Sequence, residues 1–456
     1  MKKIAIIGAG LSGTTTAIYL LKYALQPVEL FLFEENKTRL NKGVAYSQTI
    51  PYQPLNVVAS GMSLYTDDST HFVEWLRNKN IAIPGASLEK AFVRRDVFGN
   101  YIKDEFEKVI GLNPNKINVR GEVVTDINKT ENTLVVTTSN GQIEVDAVLL
   151  ATGNFPPADI PIKNEQFYKS SKYIANPWSS EVMLNQERPK KYLLVGAGLT
   201  MFDLAISLNA CNPENKLISL SRRGYLPNEH RFFEKSSSIT FNDIDFENTN
   251  LGALLIYFRK KVNDLKKEGI DWRQLMDALR EHTPVIWKNL SQKDKAQFLR
   301  HVRPFWEVHR HRVPQLSNDR LKELVRKNTL EIAEGRIIDM CEKDNRVEVT
   351  YFSKKQRAIE KMMVDVVVNC TGPQSNYRKM NHPLIERLVQ KKTIQSDELH
   401  LGLLTNECGA LIGEDGVVSK NIFTIGPARK GMLWESTALR EIRIQAKQFV
   451  ETINNL

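Results

Sequence analysis

The chain has 456 residues and a formal net charge of +10, with 42% apolar and 25% charged residues, as is typical of globular proteins. This length predicts two or three domains. The basic residues are scattered pairs without interleaved aromatic side chains, so nucleic-acid binding is not predicted, and the excess of positive charge instead favours phosphate-bearing cofactors. We found neither a long apolar stretch nor an N-terminal signal pattern, which predicts a cytoplasmic protein without a membrane span.

Residues 3–20 combine an apolar strand, a glycine turn and a segment with helical apolar spacing. The glycines follow G-x-G-x-x-G: Gly8 permits the turn, Gly10 lets a pyrophosphate approach the backbone, and Gly13 lets the helix pack on the strand. A second predicted strand ends in acid, and Glu34 is placed to accept ribose hydroxyls. This combination predicts a dinucleotide site, the alternative being a glycine turn in an unrelated α/β protein.

The neutral segment over residues 42–70, rich in small side chains, either lies against a bound ring system or is an ordinary connection. Amphipathic helices are predicted over 71–77 and 98–109. Strands over 116–126 and 132–139 are predicted to form a meander, with a tight turn at Asn140-Gly141.

A buried strand over 146–150 ends at Thr152 and Gly153, where open backbone amides would lie beside a nucleotide. A second strand, glycine turn and helix follow over 191–205, with Gly196 and Gly198 but Met201 in place of the third glycine.

The strand that accompanies this second turn, residues 216–221, is followed by Arg222 and Arg223 instead of acid. A carboxylate would repel a ribose 2′-phosphate, whereas arginine binds it with charge-assisted hydrogen bonds. The pair predicts NADPH at this site, and Thr200 in the turn is a further candidate contact. The alternative is a pair of surface arginines at a strand end.

Residues from about 245 to 328 are predicted to be a helical insertion. A hairpin over 330–352 follows, and residues 365–372 repeat the acid, apolar strand and Thr-Gly pattern of 146–153. The last strand reaches Gly426, and a helix is predicted from Trp434 to Ile453.

The repeat predicts an α/β protein with two Rossmann-like dinucleotide-binding domains, of the three-layer FAD/NAD(P)-binding type, and a helical insertion. The first domain would comprise residues 1–160 and return with 373–456, and the second would comprise 161–372.

The cysteines and histidines predict no metal site. The four cysteines form no C-x-x-C pair, so a redox disulfide of the thioredoxin-reductase kind is not predicted, and we expect buried, inert thiols: Cys211, Cys341, Cys370 and Cys408. His309 and His311 lie in a basic segment and would share a face if the backbone were extended. The segment either binds an anion or gates a substrate, or is a salt-bridged surface.

The sequence resembles flavoproteins with two dinucleotide-binding domains, and among them bacterial FAD/NAD(P)-binding proteins related to N-hydroxylating and class B flavin monooxygenases. Beyond the glycine turns, the resemblance is carried by residues 43–46, 55–57, 198–203, 221–224, 309–312, 426–427 and 434–438. It has three departures, of which one is the imperfect fit after Gly153 to the D-x-x-x-L-A-T-G segment of N-hydroxylases, which residues 146–154 otherwise resemble. Pro427 stands where disulfide-reductase relatives have an aspartate for the flavin ribityl chain, and the F-x-G-x-x-x-H fingerprint of Baeyer–Villiger enzymes is absent.

The resemblance implies two cofactor sites. FAD would be bound by Gly8, Gly10, Gly13, Glu34, Thr152, Gly153 and Gly426. NADPH would be bound by Gly196, Gly198, Thr200, Arg222 and Arg223. Flavin- or substrate-side candidates are Tyr46, Asn56, His309, His311 and Trp434, and no catalytic acid or base can be assigned.

The implied activity is an NADPH-reduced, FAD-dependent monooxygenase that oxygenates a small nitrogen- or sulfur-containing substrate through a flavin C4a-hydroperoxide. One alternative is a reductase that passes electrons to a quinone or protein acceptor. The other is a flavoprotein that senses redox state or nucleotides without turnover.

Overall fold

Two large β-sheets organise the chain, each built around one of the glycine turns. The structure, a computed structural model, describes residues 1–47, 53–83, 85, 87–114, 116–184, 186–233 and 238–456. Part of the segment 42–70 therefore lies outside the described residues.

The strands, in chain order, are β1 (Lys2–Ile7), β2 (Val28–Phe33), β3 (Ile117–Arg120), β4 (Val124–Lys129), β5 (Leu134–Thr138), β6 (Gly141–Val145), β7 (Ala147–Leu150), β8 (Tyr173–Ile174), β9 (Lys191–Val195), β10 (Lys216–Ser221), β11 (Leu330–Lys343), β12 (Arg346–Ser353), β13 (Ala358–Val364), β14 (Val366–Asn369), β15 (Ala410–Ile412) and β16 (Val418–Thr424). The α-helices are α1 (Leu11–Tyr23), α2 (Gly43–Tyr46), α3 (His71–Asn78), α4 (Arg95–Leu112), α5 (Leu199–Cys211), α6 (Leu251–Lys267), α7 (Trp272–Leu279), α8 (Thr283–Asn289), α9 (Gln292–Gln297), α10 (Arg303–Arg310), α11 (Gln315–Arg326), α12 (Pro383–Gln390), α13 (Lys430–Leu433) and α14 (Leu439–Asn455). Short 3₁₀ helices occupy Lys37–Arg39, Ala59–Gly61, Leu88–Lys90, Glu165–Lys169, Ser180–Met183, Tyr377–Lys379 and Gly426–Arg429.

The first sheet has the strand order β15-β16-β7-β1-β2-β3 and is parallel except for β15. Strand β1 lies between β2 and β7, with Ile7 opposite both Phe33 and Leu150. Since the carboxyl ends of parallel strands share one edge, the first glycine turn, Glu34 and the Thr152-Gly153 segment lie at the same edge.

Three layers make up this first domain. Helices α1, α4 and α14 pack on one face of the sheet around a core that includes Ile4, Leu30 and Phe449. The meander β4-β5-β6 covers the other face, where Phe31 and Phe33 pack with its apolar side chains. The predicted three-layer α/β fold is confirmed.

The second sheet has the order β13-β12-β11-β10-β9-β14-β8. Strands β8, β14, β9, β10 and the start of β11 are parallel. Strand β11 then continues into an antiparallel meander with β12 and β13, which begins with Gly335 opposite Ser353 and contains a register shift between Ile337 and Asp339. The two sheets repeat one hydrogen bond: Asp146 accepts the Lys3 amide and Asp365 accepts the Lys191 amide, both at 2.7 Å.

The predicted strand over 116–126 is wrong as a single element. Ile117–Arg120 pairs in parallel with β2, whereas Val124–Lys129 pairs with β5 in the separate meander. Gly121 lies between them outside any strand, so the chain leaves one sheet and enters another there. The turn predicted at Asn140-Gly141 is confirmed, with Thr138 opposite Gly141.

The helical insertion is confirmed over α6 to α11. Asn250, Asp271 and Ser291 cap α6, α7 and α9, because their side-chain oxygens accept backbone amides of the first turns. A π-helical turn, Phe298–Val302, joins α9 to α10, and Pro304 lies in the first turn of α10, where its missing N–H costs little.

Two further predictions are wrong. The last helix begins at Leu439 and not at Trp434. Of the cysteines expected to be buried, Cys211 and Cys408 are exposed, because the first ends α5 and the second lies in a surface turn; Cys370 is buried. In the part of the chain that the structure describes, no helix is long and apolar enough to cross a membrane.

Candidate functional site

The first glycine turn needs glycine for steric reasons. Gly8 has a φ of +100° and donates its N–H to Phe33 at 2.9 Å. A Cβ on Gly8 would overlap the Ala151 carbonyl oxygen, and one on Gly13 would overlap the Gly8 carbonyl oxygen. Gly10 faces Gly43 across a gap in which an added Cβ would lie 3.3 Å from the Gly43 Cα. The turn therefore brings α1, β7 and the start of α2 as close as backbones allow.

Glu34 lies against this turn. Its carboxylate accepts the Ala9 amide at 3.1 Å and the Asn36 amide at 3.2 Å. Burial raises the pKa of Glu34, although these amides oppose the shift. The side chain predicted to receive an adenosine ribose is thus held at the glycine turn by backbone donors.

The ends of β7 and β16 contribute the rest of the first site. Gly153 and Gly426 have φ values of +67° and +77°. The Gly426 amide donates to the Gln445 Oε1 at 2.9 Å, and Gln445 in turn donates to the Ser436 carbonyl at 3.4 Å. Thr152 hydrogen-bonds the Tyr377 hydroxyl, which has a raised pKa because it is buried.

Two hydroxyl groups in this region are buried without a partner among the described residues: Thr15 Oγ1 on α1 and Ser436 Oγ just before α14. An unsatisfied buried polar atom is costly and needs an explanation. A polar ligand along this edge would supply one. The glycine turn, Glu34 and these two hydroxyls fit a dinucleotide with its pyrophosphate at the α1 N-terminus.

The second glycine turn repeats the first. Gly196 has a φ of +124° and donates to Leu220 at 2.9 Å, and a Cβ there would lie 2.6 Å from the Cys370 carbonyl oxygen. Around Gly198, no described heavy atom lies within 4 Å of an added Cβ, so this side of the turn is open. Met201 is fully buried where Gly13 stands in the first copy, and it packs α5 onto the sheet. Thr200 lies in the first turn of α5.

Arg222 and Arg223 directly follow β10, as predicted. Arg222 is exposed and Arg223 is half-buried, and neither has a carboxylate within ion-pair distance among the residues that the structure describes. Gly224 turns the chain away with a φ of +62°, and its amide donates to the Ser221 hydroxyl at 3.0 Å. Two guanidinium groups are therefore available to an anion at the carboxyl edge of the second sheet.

A buried ion pair joins the two domains. Arg95 at the start of α4 donates from Nη2 to Asp203 Oδ2 on α5 at 3.2 Å. Burial raises the pKa of Asp203 to about 6, against the opposing charge and hydrogen bond of Arg95. Tyr46 lies nearby, packed edge-on against Phe98 at 4.9 Å; burial raises its pKa, and the charge of Arg95 opposes that shift.

Arg95 was missed in the sequence because nothing in its neighbourhood indicates a partner. Asp203 belongs to the 198–203 segment that carries the family resemblance, but no partner for it could be inferred. Their positions are 108 residues apart.

Asn56 contacts the second domain through its backbone. His230, in the segment after β10, places Nε2 2.9 Å from the Asn56 carbonyl oxygen. Burial, assisted by the charge of Arg312, lowers the pKa of His230 to about 4, so the neutral ring donates this hydrogen bond at neutral pH. The predicted flavin-side residue is thus part of an interdomain contact.

His309 and His311 do not lie on an extended backbone, so the condition under which they would share a face is not met. His309 lies in the last turn of α10, where Nδ1 contacts the Phe305 carbonyl oxygen at 2.7 Å. His311 follows the helix and its Nδ1 lies 2.5 Å from Glu307 Oε2. Because α10 is helical, residues two apart point to different sides. The described residues contain no group of three His, Cys, Asp or Glu side chains able to hold a metal ion.

Trp434 is 5% exposed and packs in the core of the insertion. It stacks on Trp287 with ring centroids 4.7 Å apart and meets Phe298 edge-on at 5.1 Å. Its φ of 60° and ψ of −56°, with the Glu435 amide donating to Leu433 at 2.7 Å, form a strained γ-turn. The structure thus places this predicted flavin-side residue where the insertion meets the C-terminal segment.

Two bidentate ion pairs hold the insertion against the first domain. Arg310 donates to both oxygens of Glu435 at 2.7 and 2.6 Å, and Arg280 to both oxygens of Glu441 at 2.8 Å. Trp287 adds a hydrogen bond from Nε1 to the Gly431 carbonyl at 2.8 Å. The insertion therefore covers the segment that follows Gly426, an arrangement that helical periodicity could not reveal.

The charged side chains of α10 and α13, where the insertion meets the segment after Gly426, shift one another's pKa values. Burial would raise the pKa of Glu307, but His311, Lys430 and Arg303 outweigh it and lower the pKa to about 2. Burial lowers the pKa of Lys430, whose Nζ lies 4.8 Å from the Trp434 ring centroid.

Comparison with known proteins agrees with this architecture. Residues 5–155 match the family model described as FAD-NAD(P)-binding. No curated protein matches the chain in sequence.

Solved structures match the chain along its whole length. L-lysine 6-monooxygenase from Pseudomonas syringae is 14% identical, with a TM-score of 0.70 over 100% of this chain and 99% of that one. Ornithine N-hydroxylase from Kutzneria sp. 744, solved with reduced FAD, NADP+ and L-ornithine, is 13% identical, with a TM-score of 0.68 over the same shares. The FAD-bound cadaverine monooxygenase from Erwinia amylovora is 12% identical, with a TM-score of 0.60 over 100% of this chain and 95% of that one. The resemblance predicted from the motifs is thus confirmed in the fold: the chain has the fold of the FAD/NAD(P)-binding flavoproteins with two dinucleotide-binding domains.

Proposed function

We propose that the protein is an FAD-dependent oxidoreductase reduced by NADPH, and that it is a monooxygenase acting on a small nitrogen-containing substrate. The observation that carries this proposal is the pair of equivalent glycine turns, one with Glu34 and the other followed by Arg222 and Arg223. They belong to domains that the buried pair of Arg95 and Asp203 holds together.

FAD fits the first site. Gly8, Gly10 and Gly13 let the turn pack closely against its neighbours and so place the α1 N-terminus at this edge, where a pyrophosphate would bind, and Glu34 would accept ribose hydroxyls. The Ser436 hydroxyl, which is buried without a partner among the described residues, would face the middle of the cofactor. Disulfide-reductase relatives have an aspartate for the flavin ribityl chain where this chain has Pro427. Here Gln445, which accepts the Gly426 amide, would instead orient this edge of the site.

NADPH fits the second site. Gly198 leaves its side of the turn at the α5 N-terminus open, and Thr200 lies in the first turn of α5. Arg222 and Arg223 would bind the ribose 2′-phosphate through charge-assisted hydrogen bonds. NADH, which has no such phosphate, would bind more weakly.

When bound, FAD would accept a hydride from NADPH and supply the oxygen chemistry. The chain itself would orient the two cofactors and exclude water from the flavin side of the site. The insertion, held by Arg310 and Arg280 on Glu435 and Glu441, would cover the flavin side of the site. Bulk water at this place would favour the release of peroxide over oxygen transfer.

A primary amine is the substrate class to test first. The structural neighbours are an ornithine N-hydroxylase, an L-lysine 6-monooxygenase and a cadaverine monooxygenase. The absence of a C-x-x-C pair in the sequence argues against a disulfide reductase. The sequence alone also admits sulfur-containing substrates, which belong in the same panel.

The test is a visible spectrum of the purified protein with NADPH, first without oxygen and then with oxygen and a panel of amines and thioethers. We expect bound flavin, rapid bleaching by NADPH, and an oxygenated product in the presence of one amine. Complete return of oxygen as peroxide with every substrate, with fast turnover of a quinone, would favour the reductase. Flavin that NADPH does not reduce would favour the sensor.

A further inference from the structure

Two exposed aromatic rings lie beside the arginine pair. Tyr225 follows Gly224 and is 41% exposed, and Phe305 on α10 is 47% exposed. Their ring centroids are 5.3 Å apart at an angle of 45°. The two residues are far apart in sequence, so the fold has brought an aromatic side chain of the insertion to the end of β10.

The same place carries positive charge. The Arg223 guanidinium carbon lies 5.7 Å from the Phe305 ring centroid. Arg222, one position earlier, is exposed, and the described residues place no carboxylate within ion-pair distance of either arginine.

Single exposed aromatic residues need no explanation, but this pair is joined to guanidinium groups that lack carboxylates. A planar base stacks on aromatic rings and on guanidinium planes, and a phosphate bonds guanidinium N–H groups. Both halves of an adenosine 2′-phosphate are therefore matched at one place.

We propose that Tyr225 and Phe305 form an adenine platform: the adenine of NADPH stacks on this ring pair while Arg222 and Arg223 bind its 2′-phosphate. The proposal rests on the proposed function for the identity of the ligand. It adds that the insertion itself binds the dinucleotide, through Phe305. The adenosine end of the cofactor then connects β10 to the helix that Arg310 attaches to the first domain.

The test uses adenosine 2′,5′-bisphosphate, which has the adenine, the 2′-phosphate and one 5′-phosphate but no nicotinamide. Its affinity for the full-length protein is measured by calorimetry for the wild type, Phe305→Ala and Tyr225→Ala. Phe352→Ala is the matched control, because Phe352 is 42% exposed and lies on β12 of the same sheet, where it pairs with β13. Phe305→Trp tests whether another aromatic ring preserves binding.

We expect Phe305→Ala to weaken binding about tenfold, as alanine substitutions at base-stacking positions do. Phe352→Ala is expected to stay within twofold of the wild type, and Phe305→Trp to retain most of the affinity. Circular dichroism and thermal melting of each variant check that the fold is intact, which the exposure of both rings favours.

Binding within twofold of the wild type in both alanine variants would overturn the platform, even if NADPH still reduces the flavin. A change of oligomeric state on Phe305→Ala without a change in affinity would also overturn it and identify a surface for self-association. Ring-dependent binding of the bisphosphate in a protein whose flavin NADPH fails to reduce would support the platform and contradict the proposed oxidoreductase.

Discussion

Arg95 and Asp203 form the buried ion pair between the two dinucleotide-binding domains, and replacement of Arg95 by methionine tests it. Methionine keeps much of the length of the arginine stem but removes the charge. Solvent screens the pair little, since the two side chains are only 16% and 9% exposed. The substitution therefore leaves the Asp203 carboxylate buried and unpaired.

The expected loss is large. Removal of one partner of a buried ion pair can destabilise a protein by about 3–5 kcal/mol. Protonation of Asp203, whose pKa is about 6 in the wild type, limits the loss at pH 8 to about 1.4 kcal/mol for each of the two pH units above that value, or about 2.7 kcal/mol. With a shift of about 2 °C per kcal/mol for a large domain, the melting temperature of Arg95→Met should fall by about 5 °C at pH 8.

The loss should also depend on pH. In the wild type, burial raises the pKa of Asp203 from 3.8 to about 6. Because the folded-state pKa lies above the unfolded value, protonation of Asp203 favours the folded state, and this contribution is lost as the pH rises through about 6. Without Arg95 the pKa of Asp203 should rise further, so the variant should be weakest at pH 8 and close to the wild type at pH 5.

Thermal melting at pH 5 and pH 8 measures both effects. Arg94→Met is the matched control, because Arg94 pairs with Asp96 at the surface, and such pairs contribute at most about 1 kcal/mol. The double variant Arg95→Met with Asp203→Asn should recover most of the stability at pH 8. An equal loss at both pH values, or no recovery in the double variant, would refute the reasoning.

Three other substitutions test the sites. Gly13→Ala should prevent retention of flavin, measured by visible absorbance, because the added Cβ overlaps the Gly8 carbonyl oxygen; a fully yellow variant would contradict this. Replacement of Arg222 and Arg223 by alanine should raise the KM for NADPH about tenfold or more and leave that for NADH nearly unchanged, since only the 2′-phosphate contacts are lost; equal effects on the two cofactors would argue against that role. Arg310→Met should loosen the insertion and increase the peroxide formed per NADPH consumed, whereas unchanged coupling would show that its bond to Glu435 does not control water access.

Local patterns in the sequence predicted much of the fold. Each glycine turn, with its strand and helix, occupies just over twenty consecutive residues, Lys2–Tyr23 and Lys191–Cys211, and its steric demands are met within that stretch and the adjoining strand ends. The helix caps at Asp271 and Ser291 are equally local, because each side chain accepts an amide of the first turn that follows it. The strand over 116–126 was predicted wrongly because alternation of apolar residues reports extended backbone but not the sheet that a strand joins.

Candidate side chains outside the glycine turns were harder to place. The relation of His309 to His311 depends on whether the backbone is extended or helical. The basic residues around them form no apolar periodicity that would indicate which of the two applies. Trp434 continues an apolar pattern that resembles the start of a helix, yet it occupies a γ-turn because its ring packs on Trp287 of the insertion. At Trp434, therefore, a long-range contact overrode the local pattern.

The amino-acid sequence by itself determined that this protein has two dinucleotide cradles, since glycine spacing and the charge that follows each second strand are properties of short consecutive segments. Only the tertiary structure decided how the two dinucleotide-binding domains and the insertion contact one another. The pairing of Arg95 with Asp203, the docking of Arg310 on Glu435 and the approach of Phe305 to Arg223 each join residues more than eighty positions apart. Such contacts follow from packing of the whole chain, because no local preference of either residue indicates its partner.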